Sequence, residues 1–180
     1  MNKILKLTLV LFLICAIVAG VLGVVNELTY RRIDAQEQAK TAAAFSTVLK
    51  ADGYELVDFD KAAFPTVDSI VTPKEGEGHV VVSTFSGAQG NITLAVGVDN
   101  DYKCTGISVI SHSETSGLGA NAASTGDVGV NFRAQFVGED ENIALTKAGG
   151  NIDALTGATI TSRSITAAVA NSIQAVKALG

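Results

Sequence analysis

Tryptophan is absent from this chain of 180 residues, and proline, histidine and cysteine occur only twice each. The two histidines, His79 and His112, have no partner at zinc-like spacing, so no metal centre is expected and each reads as a surface or strand residue. Cys15 and Cys104 lie far apart, the first inside an apolar run, which argues against a disulfide framework. Clustered Lys and Arg are also missing. The formal net charge is -5, and Lys3 and Lys6 are the only charges before Glu27, so the remainder is more acidic still. An acidic domain without a basic patch is a poor partner for nucleic acid. The length suits one ordinary domain with attachments.

What the chain does have begins with Leu7 to Val25, "LTLVLFLICAIVAGVLGVV", 19 residues without a charge. A bilayer is crossed by a helix of about 20 such residues. The run therefore reads as a transmembrane helix. A cleaved signal peptide is the rival, with Lys3 and Lys6 as its basic start, but the run exceeds a usual signal core. A lipoprotein signal at Cys15 is disfavoured by Ile14 before it. Lys3 and Lys6 flank one side and Arg31 and Arg32 the other, so charge counting leaves the orientation open. Ala16, Gly20 and Gly23 would let another helix approach closely.

Glu27 to Lys50 contains neither Gly nor Pro and sets Ile33, Ala39, Ala43 and Val48 near helical spacing, which predicts a helical stalk. Residues 51–78 mix short apolar pairs with Pro65 and Pro73 and read as loops with one or two short elements. Then "HVVVSTF", "NITLAVGV" and "CTGISVIS" are strand-like runs joined by short turns, the pattern of an antiparallel meander. Phe132 and Phe136, four apart, would share a helix face as core anchors. Ile165, Val169, Ile173 and Val176 trace the stripe of a final helix. The expected fold is α+β, an antiparallel sheet with flanking helices preceded by one N-terminal transmembrane helix. Its divisions would be an anchor (1–26), a stalk (27–50) and a domain (51–180).

Two stretches are candidates for chemistry. "NIDALTGATITSRS", residues 151–164, gathers hydroxyls at Thr156, Thr159, Thr161, Ser162 and Ser164 just ahead of the last helix. Thr161 or Ser162 would cap that helix, and its free N–H groups would suit a phosphate. Gly157 and Ala158 would let the backbone come close, leaving Thr159 beside a bound phosphate. A plain turn before a well-capped helix explains the same residues. The second stretch, "SHSETSGLGANAASTG", residues 111–126, contains Gly117-Leu118-Gly119, but Ala122 stands where a dinucleotide fingerprint needs its third glycine. Ser111, His112 and Glu114 are too close in sequence to converge as a hydrolytic triad. Glu114 and Thr115 would form a ligand rim or belong to an exposed connection.

Together the stretches carry a resemblance. "DALTGATITS", Asp153 to Ser162, matches the D-x-x-[ST]-G-A-T signature of the covalent FMN-binding domain family, and "SHSETSGLGA" resembles its upstream S-H-x-E-T-P-G-L-G loop. "FRAQFVGED" followed by "GGNIDALTGAT" fits the same family's approach to the signature. With the span in front, the chain resembles the G subunits of Rnf electron-transport complexes, which are similar to the C subunit of the sodium-pumping NADH:quinone reductase. The resemblance implies FMN esterified through its phosphate to Thr159 by a separate flavin transferase that uses FAD. Thr156, Gly157, Ala158, Thr161 and Ser162 would surround the phosphate, and Glu114, Thr115, Gly117, Leu118 and Gly119 would line the flavin. Asp153 would orient the segment or serve transferase recognition. Ser116 replaces the family's proline, which puts the rigidity of that loop in question. No general acid or base and no protein-bound metal is expected. The implied role is a single-pass electron carrier of the cell membrane, amino terminus in the cytoplasm and flavin domain outside, working with membrane and iron-sulfur subunits of an ion-transporting ferredoxin:NAD oxidoreductase. The equivalent subunit of a quinone reductase, a flavin-binding sensor and an anchored scaffold are the other readings.

Overall fold

The computed structural model describes residues 3–180, apart from the side chains of Arg31, Asp34 and Ala35. The chain divides into two compact units, one ending at Ala39 and the other beginning at Lys40. Helix α1, Lys3–Val48, supplies the described part of the first unit and the start of the second. Its stretch Lys3–Tyr30 contains an 18-residue window with a mean hydropathy of 2.9, none of it buried inside the protein, and is long and apolar enough to cross a membrane. Leu7, Phe12 and Leu22 are all exposed there, and a helix apolar all round is suited to lipid.

The second unit is built on five strands, β1 (Tyr54–Val57), β2 (Val67–Pro73), β3 (His79–Ser86), β4 (Asn91–Val98) and β5 (Cys104–His112). They lie in sequence order, each antiparallel to the next. Then come a 3-10 turn at Gly119–Ala123, helix α2 (Asp127–Ala134), a second 3-10 turn at Thr146–Ala148 and helix α3 (Thr159–Lys177). The sheet is apolar on both faces because successive strand residues point oppositely. Val81, Leu94 and Val96 pack with Ile165, Val169, Ile173 and Val176 of α3, while Val80, Ala95 and Val71 pack with Ala44 and Val48 at the end of α1. Ser83 and Ser172 hydrogen-bond across the first interface at 3.1 Å.

Helix α1 continues through residues 27–48, where Ile33, Ala39 and Ala43 are exposed and Ala44 and Val48 are buried. The sheet, not periodicity alone, selects that face. A Cβ at Gly97 would lie 2.8 Å from the Val48 carbonyl oxygen, so glycine lets α1 sit directly on β4. Thr105 donates to that carbonyl at 2.7 Å, and the Tyr54 hydroxyl donates to the next, Leu49. Two carbonyls at the helix end are thereby satisfied. Phe132 and Phe136 are both buried with ring centroids 5.3 Å apart, although α2 ends before Phe136.

Cys104, the first residue of β5, is buried in the core, and desolvation pushes its thiol up to about 12, with Asp99 and Glu139 adding to the effect. The thiolate is the reactive form. A maleimide at neutral pH should therefore label Cys104 only after unfolding, as peptide mapping would show; rapid labelling of the native domain would contradict this burial.

Candidate functional site

Helix α3 opens at Thr159, with Ala158 at the N-cap and no capping side chain. The expected capping by Thr161 or Ser162 is thus overturned. Both lie within the first turn, where their side chains serve other contacts. Thr161 donates to Glu114 Oε2 at 2.5 Å. Ser162 Oγ accepts the Leu155 N–H at 2.9 Å and donates to the Ala158 carbonyl at 3.0 Å. The Ser162 N–H is taken by the Ala158 carbonyl at 2.9 Å, whereas the N–H groups of Thr159, Ile160 and Thr161 have no internal partner among the described residues and can meet an anion.

Glu114 is buried, yet it is fully engaged. Its Oε1 accepts from the N–H groups of Ala88 and Gln89 at 2.8 and 3.0 Å, while Oε2 takes the Thr161 hydroxyl. Burial alone would raise its pKa, but the hydrogen bonds from Gln89, Thr161 and Ala88 outweigh it and hold the carboxyl below the ordinary range. One carboxylate thereby joins the β3–β4 turn to the start of α3. Gly119 sits against this clamp, where a Cβ would collide with Glu114 Oε2 and stand 2.6 Å from Thr161 Oγ1. His112 Nδ1 accepts the Glu114 N–H at 3.3 Å, so histidine and carboxylate face different partners and form no triad.

Eight of the expected residues, Glu114, Thr115, Leu118, Gly119, Gly157, Ala158, Thr159 and Thr161, line one cavity of about 290 Å³. Gly117, Thr156 and Ser162 do not line it. Gly117 has a φ of 77° and shapes the turn, in which the Thr115 carbonyl accepts from Leu118 and Ala120 and Asn121 donates to the Gly117 carbonyl at 2.9 Å. Thr156 is exposed, and Ser162 is internal support. Ser116 is exposed, in the turn that these bonds close. Gly157, at φ 72°, brings the chain past Leu118, and a Cβ there would lie 2.9 Å from that side chain.

Three further lining residues, Ala88, Gln89 and Ile160, were not foreseen from sequence. Ala88 and Gln89 reach the site only through Glu114, some 25 positions away. Asp153 is exposed, and its backbone is held by Gln135: its N–H donates to Oε1 at 2.7 Å, and Nε2 donates back to its carbonyl at 3.4 Å. Thr159 also borders a second cavity, about 260 Å³, with apolar walls and the side chains of Lys147 and Arg163.

The arrangement fits a phosphate-bearing cofactor. It combines an uncapped helix start, a glycine that permits close approach, and a Thr159 hydroxyl without a hydrogen-bond partner among the described residues. The cavity would receive the phosphate end of such a group rather than enclose all of it, being at the lower edge of the roughly 300–1,000 Å³ usual for whole ligands. No trio of His, Cys, Asp or Glu side chains converges on a metal position among the described residues.

A family profile described as FMN-binding domain matches residues 87–174, spanning both loops, and one described as RnfG N-terminal region matches residues 1–48. The G subunit of the ion-translocating oxidoreductase complex of Methanosarcina acetivorans is 32% identical, covering 98% of this chain and 96% of that protein. The G subunit of the Na(+)-translocating ferredoxin:NAD(+) oxidoreductase complex of Acetobacterium woodii is 34% identical over 94% of this chain and 89% of its own length. The proton-translocating counterpart of Clostridium ljungdahlii is 40% identical over 54% of this chain and 52% of its own length.

Proposed function

This chain belongs to the family of G subunits of ion-translocating oxidoreductase complexes, and from that premise we propose that it relays electrons through an FMN esterified to Thr159. The observation that carries the reading is the fate of the hydroxyls. Of those bordering the motif cavity from residues 151–164, Thr161 is committed to Glu114, and Thr159 alone is left without an internal partner among the described residues.

In the proposed attachment Thr159 Oγ forms a bond to the FMN-side phosphorus of FAD, the pyrophosphate bond breaks, and AMP leaves. A threonine hydroxyl is not acidic, so its proton passes to a base in the flavin transferase, whose metal ion would stabilise the leaving phosphate. The first-turn N–H groups of α3 then face the resulting diester charge. Bound FMN supplies reversible one- and two-electron transfer. Glu114 holds the first turn against residues 88 and 89, while Leu118 and Ile160 offer apolar cover beside Thr159.

Residues 1–26 would anchor the protein with the amino terminus in the cytoplasm, residues 27–50 form the stalk, and residues 51–180 carry the flavin outside. Its partners would be the membrane and iron-sulfur subunits of a ferredoxin:NAD oxidoreductase complex. Purifying the tagged chain from its own membranes, with intact and peptide mass spectrometry, tests this. An FMN-sized adduct on the peptide containing Thr159, together with co-purifying subunits, is expected. Absence of the adduct despite an active transferase would overturn the flavin reading; an adduct without partner subunits would overturn the relay.

A further inference from the structure

Thr159 and Arg163 are four residues apart on α3 and therefore stand on one helix face, their Cβ atoms about 5–6 Å apart. Together with Lys147 they line the second cavity, whose remaining walls include Ile143, Leu145 and Ala148. Lys147 is brought there by the 3-10 turn Thr146–Ala148, which a bridge between Leu145 and Ile152 closes. The Thr146 N–H donates to the Ile152 carbonyl at 2.9 Å, and the Ile152 N–H to the Ala144 carbonyl at 3.1 Å. The cation thus sits on a braced loop immediately before the hydroxyl-rich motif.

Neither Lys147 nor Arg163 has an ion-pair partner among the described residues, in a chain of net charge -5. The first turn of α3 carries no acidic residue of its own and no side-chain cap, and the carboxylate that reaches it, Glu114, is held by Thr161, two positions from both Thr159 and Arg163 and so on a different helix face. The helix start, Arg163 and Lys147 therefore bring positive potential to the Thr159 hydroxyl on the side of the second cavity, while Glu114 lines the first. We propose that Arg163 and Lys147 form an anion subsite that pairs with the phosphodiester carried on Thr159, an inference that rests on the attachment proposed above. Arg163 would meet the diester oxygens by charge-assisted hydrogen bonds, with Lys147 as a second point charge lining the same cavity. Both are positioning residues for the linker.

The test is a double-mutant cycle in the full-length protein, produced with its transferase and purified in detergent. Wild type, Thr159→Ala, Arg163→Gln and the double variant are checked for the adduct by mass and melted at low and high salt. Arg163→Gln is expected to lower Tm by roughly 2–4 °C when Thr159 carries FMN and to leave it unchanged in the Thr159→Ala background. The difference should shrink in about 1 M salt, where exposed charges are screened within roughly 3 Å. Lys147→Gln should shift Tm in the same direction and replaces Arg163→Gln in the cycle if that protein does not take up FMN. Equal shifts in both backgrounds, or none in the flavinylated one, would overturn the pairing while leaving the attachment intact. A wild-type chain without adduct would overturn both.

Discussion

Thr159→Ala is expected to abolish the FMN adduct completely, while Thr156→Ala retains it and Thr159→Ser retains it in part. Peptide mass spectrometry and flavin fluorescence of denatured protein in a gel would read all three. The hydroxyls of the motif look interchangeable in the sequence but are not so in the fold. Thr161 and Ser162 are buried and hydrogen-bonded inward, to Glu114 and to the Leu155–Ala158 turn. Ser164 lines a different cavity, beside Asn171, and Thr156 is exposed outside the motif cavity. Thr159 alone combines access with the uncapped start of α3. The substitution should leave the fold intact, within about 0.5 kcal/mol, because it removes no internal hydrogen bond. An adduct moving to Thr156 in the Thr159→Ala protein would refute the assignment.

Glu114→Ala should be the costliest change at the site, destabilising the domain by roughly 3–5 kcal/mol. It strands two backbone N–H groups and the Thr161 hydroxyl, and an unsatisfied buried polar group costs about 1–3 kcal/mol before water recovers part of it. Glu114→Gln should cost less, because the amide oxygen still accepts from Ala88 and Gln89 while the Thr161 hydroxyl turns to accept from the new NH₂. Because the carboxyl is held below its ordinary range, its contribution is complete above the unfolded value of about 4.3 and is lost as pH falls through the lower folded value. Urea unfolding from about pH 7 to about pH 3 should therefore show a flatter profile for Glu114→Gln than for wild type. Parallel profiles would remove the carboxylate from the clamp.

The core strands were legible because β3, β4 and β5 are β-branched runs with short turns, and α3 because Ile165, Val169, Ile173 and Val176 keep helical period. β1 and β2 were less so, since Pro65, Pro73 and scattered acids break any regular alternation there. Each half of the site was readable alone. Their junction was not, because the contact between Glu114 and Thr161 exists only once β5 carries the upstream loop against α3. The capping assignment failed for a related reason: hydroxyl pattern does not say where a helix starts, and here it starts at Thr159. Neither cation of the second cavity was singled out: Arg163 gains meaning only once Thr159 and Arg163 share a helix face, and Lys147 sits in an aperiodic turn that gives no sequence signal.

The end of α1 also decides what can be cut. Ala44 and Val48 cover Val71, Val80 and Ala95, and Thr105 and Tyr54 close the final carbonyls of that helix. A soluble fragment beginning at residue 51 would therefore present a naked apolar sheet face and invite self-association. The boundary that preserves the fold lies about Lys40, so the last turns of the helix that leads to the membrane segment are also an inseparable wall of the flavin domain.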